Sequence, residues 1–372
     1  MARLVIPLRD PVKSWTPAEQ MEQINDYVVE GSAIAGSAIA AMGERVVLAW
    51  SQDGRLGLVV ADDHGARAAA PVWIHQGSSA LAAPALAVAP DGDLILLCQA
   101  DRLQLRRSGD GGSSWSPPED PHVPPGAFAF AGQRLLVTDE GRLLLGVVDG
   151  QGRAGLLCSD DGGRRWRFRD LIVPDSQGRR CGMPALYHRP GGVGMILAVH
   201  GDAQVYTFHS DDAGEQWWLF DNYAPPARAE FAFAATATAQ RDQHFMLWHN
   251  HSISTNLTCC RRREGERFWD CFHELEPQDR WPNPCLFLHP AMAVHGDWAH
   301  LSYVEHQPPG PDRLVYRRLR LSELGQRRPR RPMVNDGETY MRQLLSAKQV
   351  GRSDAQPVVS ASFNPAALGD SA

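Results

Sequence analysis

Ser159–Trp166 reads SDDGGRRW, and close copies stand at Ser108–Trp115 (SGDGGSSW) and Ser210–Trp217 (SDDAGEQW). The shared pattern is Ser-x-Asp-x-Gly-x-x-Trp, carried by Ser108, Asp110, Gly112 and Trp115, by Ser159, Asp161, Gly163 and Trp166, and by Ser210, Asp212, Gly214 and Trp217. Its chemistry is that of a closed turn. An aspartate such as Asp161 accepts hydrogen bonds from backbone N–H groups, Gly163 permits a positive φ, and Trp166 lays a large ring under the hairpin.

The three aspartates fall 51 residues apart, and such a spacing is the mark of a repeat fold built from propeller blades. Worn copies keep the phase. Asp63 in ADDHGARA retains Gly65 and lacks the Trp, and Glu264 in RREGERFW retains Trp269 but has Arg262 for the Ser and Glu266 for the Gly. Before each copy runs the same antecedent: a short apolar strand, a Gly or Asp turn and a second apolar strand, as in PALAVAPDGDLILLCQA and LLVTDEGRLLLGVVDG. These are hairpin patterns of strand period. The expected fold is therefore all-β, a six-bladed β-propeller of four-stranded antiparallel blades, with blades at about 31–75, 76–122, 123–173, 174–224, 225–275 and 276–321.

The flanks differ from the repeats. Residues 1–30 form an N-terminal segment in which Thr16, Pro17 and Glu19 compose a capping box for one short helix over 16–29. The LVIPL stretch before it is expected to be a strand that joins the last blade. Residues 322–372 read as a basic linker, GQRRPRRP, followed by a polar tail.

Bulk properties narrow the function classes. The chain has 372 residues, 22% charged and 43% apolar, and a formal net charge of -6. That balance gives no general attraction to nucleic acid or to an anionic membrane. No uninterrupted apolar run is long enough to cross a bilayer, and the start MARLVIPLRD lacks the continuous apolar stretch of a secretory signal. Seven cysteines without CxxC spacing read as reduced, mostly buried thiols. The expected location is the cytoplasm, or a viral particle assembled from it.

Three phased Ser-x-Asp-x-Gly-x-x-Trp boxes and two worn ones resemble the Asp-box, or bacterial neuraminidase, repeats of the sialidase-like superfamily. The closing stretch HPAMAVHGDWAHLSYVEH followed by RLVYRRLRLSEL is similar to the last blade of that superfamily. The resemblance implies that the boxes sit on the blade periphery and have a structural role. It also implies, for an active sialidase, three arginines on the substrate carboxylate, an aspartate acid/base, and a tyrosine nucleophile assisted by a glutamate. Guanidinium binds a carboxylate in bidentate fashion, and a neutral tyrosine avoids repulsion from an anionic sugar.

Matched position by position, little of this set transfers. GSAIAGSAIAAMGERVVLAW offers no arginine at the opening of the first blade, although Asp53 in SQDGR stands near the expected acid, where a simple Asp-Gly turn is the competing reading. Glu230 in ARAEFAFAATATA lies about where the activating glutamate belongs. His251 in WHNHS stands near the second arginine position, Arg261–Arg263 fall in a worn box, and His289 in HPAM replaces the tyrosine. The candidate catalytic residues are Glu230, His289, His251 and Asp53. Glu305 and His306, on a nearby strand end, and the loop tryptophan Trp281 are candidate binding residues. Carboxylate and imidazole together suit acid/base work, or a metal if they converge; the HNH spacing alone assigns none, and no cofactor is expected.

The expected function is a non-catalytic sialidase-like propeller used for binding or assembly, as a phage tail or virion component or as a glycan-recognition subunit. Its partners would be other protein subunits, contacted through the N-terminal segment and the tail, and a carbohydrate ligand. The alternative is an exo-acting glycoside hydrolase of altered specificity that uses Glu230 and neighbouring histidines.

Overall fold

The computed structural model describes residues 3–5, 27–31, 34–76, 83–99, 102–130, 134–171, 182–198, 205–223, 236–248, 257–266, 270–276, 286–306 and 312–324. These residues are almost entirely strand. The one helix among them is the single turn Leu321–Leu324.

Alternating and fully apolar runs pair with the run that follows them, and the described strands assemble into six antiparallel sheets in chain order. The first opens with Ile34–Met42 and the second with Ala85–Val88. The third opens with two short pieces, Phe128–Ala129 and Leu135–Val137, which pair with the same neighbour, Leu143–Asp149. The fourth, fifth and sixth open with Ala185–Arg189, Thr236–Gln240 and Leu286–His295. These opening strands touch one another in cyclic order, and the sixth returns to the first.

Strand number varies from three to five per sheet. The second sheet has only three, because the segment after its box, SPPEDPHVPP, is rich in proline, which has no N–H for a ladder. What remains of an outer strand there is the isolated bridge between Leu105 and Glu119.

The sixth sheet is completed from the other end of the chain. Tyr27–Gly31 pairs with Asp312–Arg320, and Arg3–Val5 pairs in turn with Tyr27–Gly31. This corrects the expected helix over 16–29 at its C-terminal end, where Tyr27, Val28 and Val29 lie opposite Tyr316, Val315 and Leu314. Two β-branched residues next to a ready sheet edge outweigh a local cap. Residues 16–26, like the tail at 325–372, lie outside the described residues.

The core lies between sheets. Leu48, Trp50 and Val59 of the first sheet pack with Val304, Leu314 and Tyr316 of the sixth, and Val47 and Leu58 pack with Leu86 and Leu96 of the second. Each such side chain, fully buried, contributes roughly 1.5–3 kcal/mol of transfer free energy.

The three intact boxes share one hydrogen-bond pattern. In SDDGGRRW, Ser159 Oγ donates to Asp161 Oδ1 at 2.9 Å and accepts from Gly163 N at 2.8 Å. Asp161 Oδ1 also accepts from Arg165 N at 2.9 Å, and Trp166 Nε1 donates to Gly163 O at 2.8 Å. The same bonds recur at Ser108, Asp110, Gly112 and Trp115, and at Ser210, Asp212, Gly214 and Trp217. Gly163 has φ 90°, and a Cβ there would stand 2.4 Å from Leu105 Cδ1, in the preceding sheet. The box tryptophan is thus a wedge: Trp166 packs with Leu105 of the second sheet as well as Leu143 and Leu157 of its own.

An arginine from the sheet before each box fastens it from outside. Arg45 donates to Asp110 O at 2.9 Å, Arg107 to Gly162 O, and Arg142 to Ala213 O at 3.2 Å. Arg318 of the sixth sheet does the same for the worn first box, donating to Asp63 O at 2.9 Å and His64 O at 3.1 Å.

Candidate functional site

Antiparallel pairing makes the first and third strands of a sheet run the same way, so each box turn lies at the end where the opening strand finishes. The opposite end is where the opening strands begin. There the starts of several sheets converge, and His289, one of the candidates read from the sequence, stands among them.

His289 sits on a bulge. The register of Leu286–His295 against Trp298–His306 shifts between Leu288 and Ala291, and His289 has φ 51°. An L-residue rarely takes this left-handed conformation, and bulges commonly re-aim a side chain. The facing strand is bulged too, between Ile34 and Gly36. Gly36 has φ 141°, and a Cβ on it would stand 2.6 Å from Ala83 Cβ and 3.3 Å from His289 Cβ. The close approach of three sheets at this point therefore requires glycine.

Arg134 approaches from the third sheet, just before Leu135–Val137, and is only 4% exposed. Burial lowers its guanidinium pKa to about 10. Burial, with the nearby Arg134 charge adding to it and Asp312 opposing, lowers the His289 pKa to about 4, so the imidazole is neutral at neutral pH. The Asp312 carboxylate accepts from Ile34 N at 3.3 Å and ties the sixth sheet to the first.

The other candidates take varied places. Glu305 is 2% exposed and accepts from Arg313 Nη1 at 2.8 Å, directly across the strand pair. His306 ends the same strand and is paired with Leu286, its side chain lying outside the described part. Asp53 is exposed in the turn between Arg45–Gln52 and Arg55–Asp62. With φ 50° at Asp53 and 70° at Gly54, it forms the two-residue hairpin turn that Asp-Gly favours. Glu230, His251 and Trp281 lie outside the described residues. Among the described residues, no group of three histidine, cysteine, aspartate or glutamate side chains is placed to hold a metal ion.

Two features escaped the sequence reading. One is Arg134, a single arginine before an apolar run, with no motif around it. The other is a buried polar cluster between the fourth and fifth sheets, where Arg262, 1% exposed, donates to Tyr187 Oη at 2.7 Å and lies 3.4 Å from His209 Nε2. Glu264 accepts from Arg189 Nη2 at 3.1 Å, and its other oxygen lies 3.0 Å from His244 Nε2. The only sequence signal for this cluster was the wear of the fifth box, in which charged residues replace Ser and Asp.

Among solved structures, the chain is similar to a protein of unknown function from Dyadobacter fermentans, at 17% identity and TM-score 0.60, covering 80% of this chain and 98% of that one. A leech intramolecular trans-sialidase aligns at 12% identity and TM-score 0.62 over 80% of this chain and 69% of its own. A mutant of the NanB sialidase from Streptococcus pneumoniae aligns at 10% identity and TM-score 0.60 over 79% of this chain and 69% of its own. At these identities the likeness is one of fold, the sialidase-like propeller. No curated protein matches the sequence. Residues 13–303 match the family model described as a BNR repeat-like domain, and with most of its length so matched the chain belongs to that family, within the sialidase-like superfamily.

Proposed function

We propose that the chain is a six-bladed propeller, one blade per sheet, that binds a carbohydrate at the end marked by His289 without hydrolysing it. The observation that carries this reading is His289 itself. At the position where the resemblance implies a nucleophilic tyrosine stands an imidazole, neutral at neutral pH and fixed on a bulge beside the buried Arg134. The hydrolysis that the resemblance implies uses a phenolic nucleophile at this position, which an imidazole does not supply. A neutral imidazole on a rigid bulge next to a guanidinium suits hydrogen bonding to a hydroxylated or carboxylated ligand instead. The fold by itself settles neither activity, since one fold hosts many chemistries.

The test pairs turnover with binding. Aryl glycosides of sialic acid and of neutral sugars should release no phenol above the uncatalysed rate, while a glycan array should show saturable binding that His289→Ala weakens by about tenfold. Release of sugar by the purified chain, abolished in Glu230→Gln, would overturn the reading in favour of a hydrolase.

A further inference from the structure

The far end of the ring, where the opening strands finish, holds an open pocket of about 450 Å³. Its apolar wall comes from four sheets: Val88, Val137, Pro190 and Ala239. A volume of this size falls in the range of small-molecule sites, about 300–1,000 Å³. The polar groups on it are Asp139, His188, Arg189 and Arg241.

These four are not equivalent. Arg189 is already engaged by Asp211 and by Glu264. His188 is exposed at the rim of the pocket, beside Arg189. Arg241 has no hydrogen-bond or ion-pair partner among the described residues and faces the pocket. It also occupies the turn between Thr236–Gln240 and Gln243–Trp248 with φ 56°, a left-handed conformation that Gly or Asn takes at lower cost. The turn geometry alone does not call for a long cationic side chain there.

We propose that this pocket binds a small hydroxy-carboxylate of the uronic-acid class. Arg241 pairs with the carboxylate, Asp139 and His188 meet the hydroxyls, and the valine and proline wall carries the C–H face of the ring. Guanidinium is the side chain whose fork matches a carboxylate, and a carboxylate beside an imidazole offers hydroxyls both acceptors and a donor. The site is independent of the one at His289, which lies where the opening strands begin.

The experiment titrates the full chain with D-glucuronate and with D-glucose, followed by calorimetry. Saturable one-to-one binding of glucuronate is expected, with glucose weaker by about tenfold because it lacks the charge. Arg241→Asn, which tolerates the left-handed turn, should weaken glucuronate by about tenfold while leaving Tm unchanged. Absence of saturable binding, equal affinity for glucose, or an unchanged affinity in Arg241→Asn would each overturn the proposal. Loss of binding in His289→Ala with Arg241→Asn unaffected would do so as well, by placing glucuronate at the other end.

Discussion

The turn at Asp161 and the turn at Glu264 occupy the same place in their sheets and are held by different balances of local and inter-sheet bonds. In the first, Ser159, Asp161, Gly163 and Trp166 satisfy one another within eight residues. In the second, the corresponding Arg262 and Glu264 reach back into the fourth sheet, to Tyr187, His209 and Arg189. The intact box is a local device with an arginine clasp added from outside. The worn box keeps a smaller local closure, in which Arg263 N donates to Glu266 Oε2 at 2.9 Å and Glu266 N donates to Arg263 O at 3.1 Å, and adds inter-sheet contacts to it. A repeat can therefore lose its signature while keeping its place, provided that the lost bonds are replaced, here by a new local pair and by contacts across the interface.

Three variants or conditions probe this difference. Trp166→Ala should have the largest effect, a loss of about 3–5 kcal/mol in urea unfolding, since it removes a ring only 5% exposed that packs with both the second and third sheets. A loss below about 1 kcal/mol would show that the box tryptophan does not couple the sheets.

Arg262→Met should cost about 2 kcal/mol, because the fully buried Tyr187 hydroxyl loses the guanidinium that donates to it. Adding Glu264→Ala should then cost less than it does in the wild-type chain, as expected of groups in one network. Strict additivity of the two substitutions would mean that the worn turn is not held by a network.

The smallest effect per step is one of pH. His209 and His244 are each 1% exposed, and burial, reinforced by Arg189 and Arg262, lowers both pKa values to about 3. The unfolded value is near 6.5, so the unfolded chain takes up the protons first. Stability from these groups is full above about pH 6.5 and falls as the pH drops toward about 3, by at most about 1.4 kcal/mol per pH unit for each histidine. The intact box responds later. Hydrogen bonds from the Ser114 side chain and backbone, then from Ser108, lower the Asp110 pKa to about 2, so its contribution is present above about pH 3.9 and lost as the pH falls through about 2. Unfolding curves at pH 7, 6 and 5 should report all the buried neutral histidines, His289 and His300 as well as His209 and His244, and His244→Gln should reduce their slope by the share of the worn turn. An equal slope in that variant would assign the acid sensitivity elsewhere.

Much of the fold was legible because its signals are short-range. The 51-residue phase of Asp110, Asp161 and Asp212 needed only turn chemistry to read. Asp53 is likewise a residue of a turn that the Asp-Gly dipeptide announced. What failed was read from local signals that tertiary pairing overrode: Thr16, Pro17 and Glu19 predicted a helix as far as residue 29, but Tyr27–Val29 had a partner strand some 290 residues away in Leu314–Tyr316. Arg134 was invisible for the same reason, since nothing in AGQRLLV marks the arginine as facing His289.

The sequence by itself determined that this is a repeat of antiparallel strands closed by Asp-box turns, because each such turn is satisfied within eight residues and repeats in phase. Only the tertiary structure decided which side chains share an end of the ring. Gly36, Arg134, His289 and Asp312 meet there from four distant parts of the chain, brought together by inter-sheet packing that has no period and no motif.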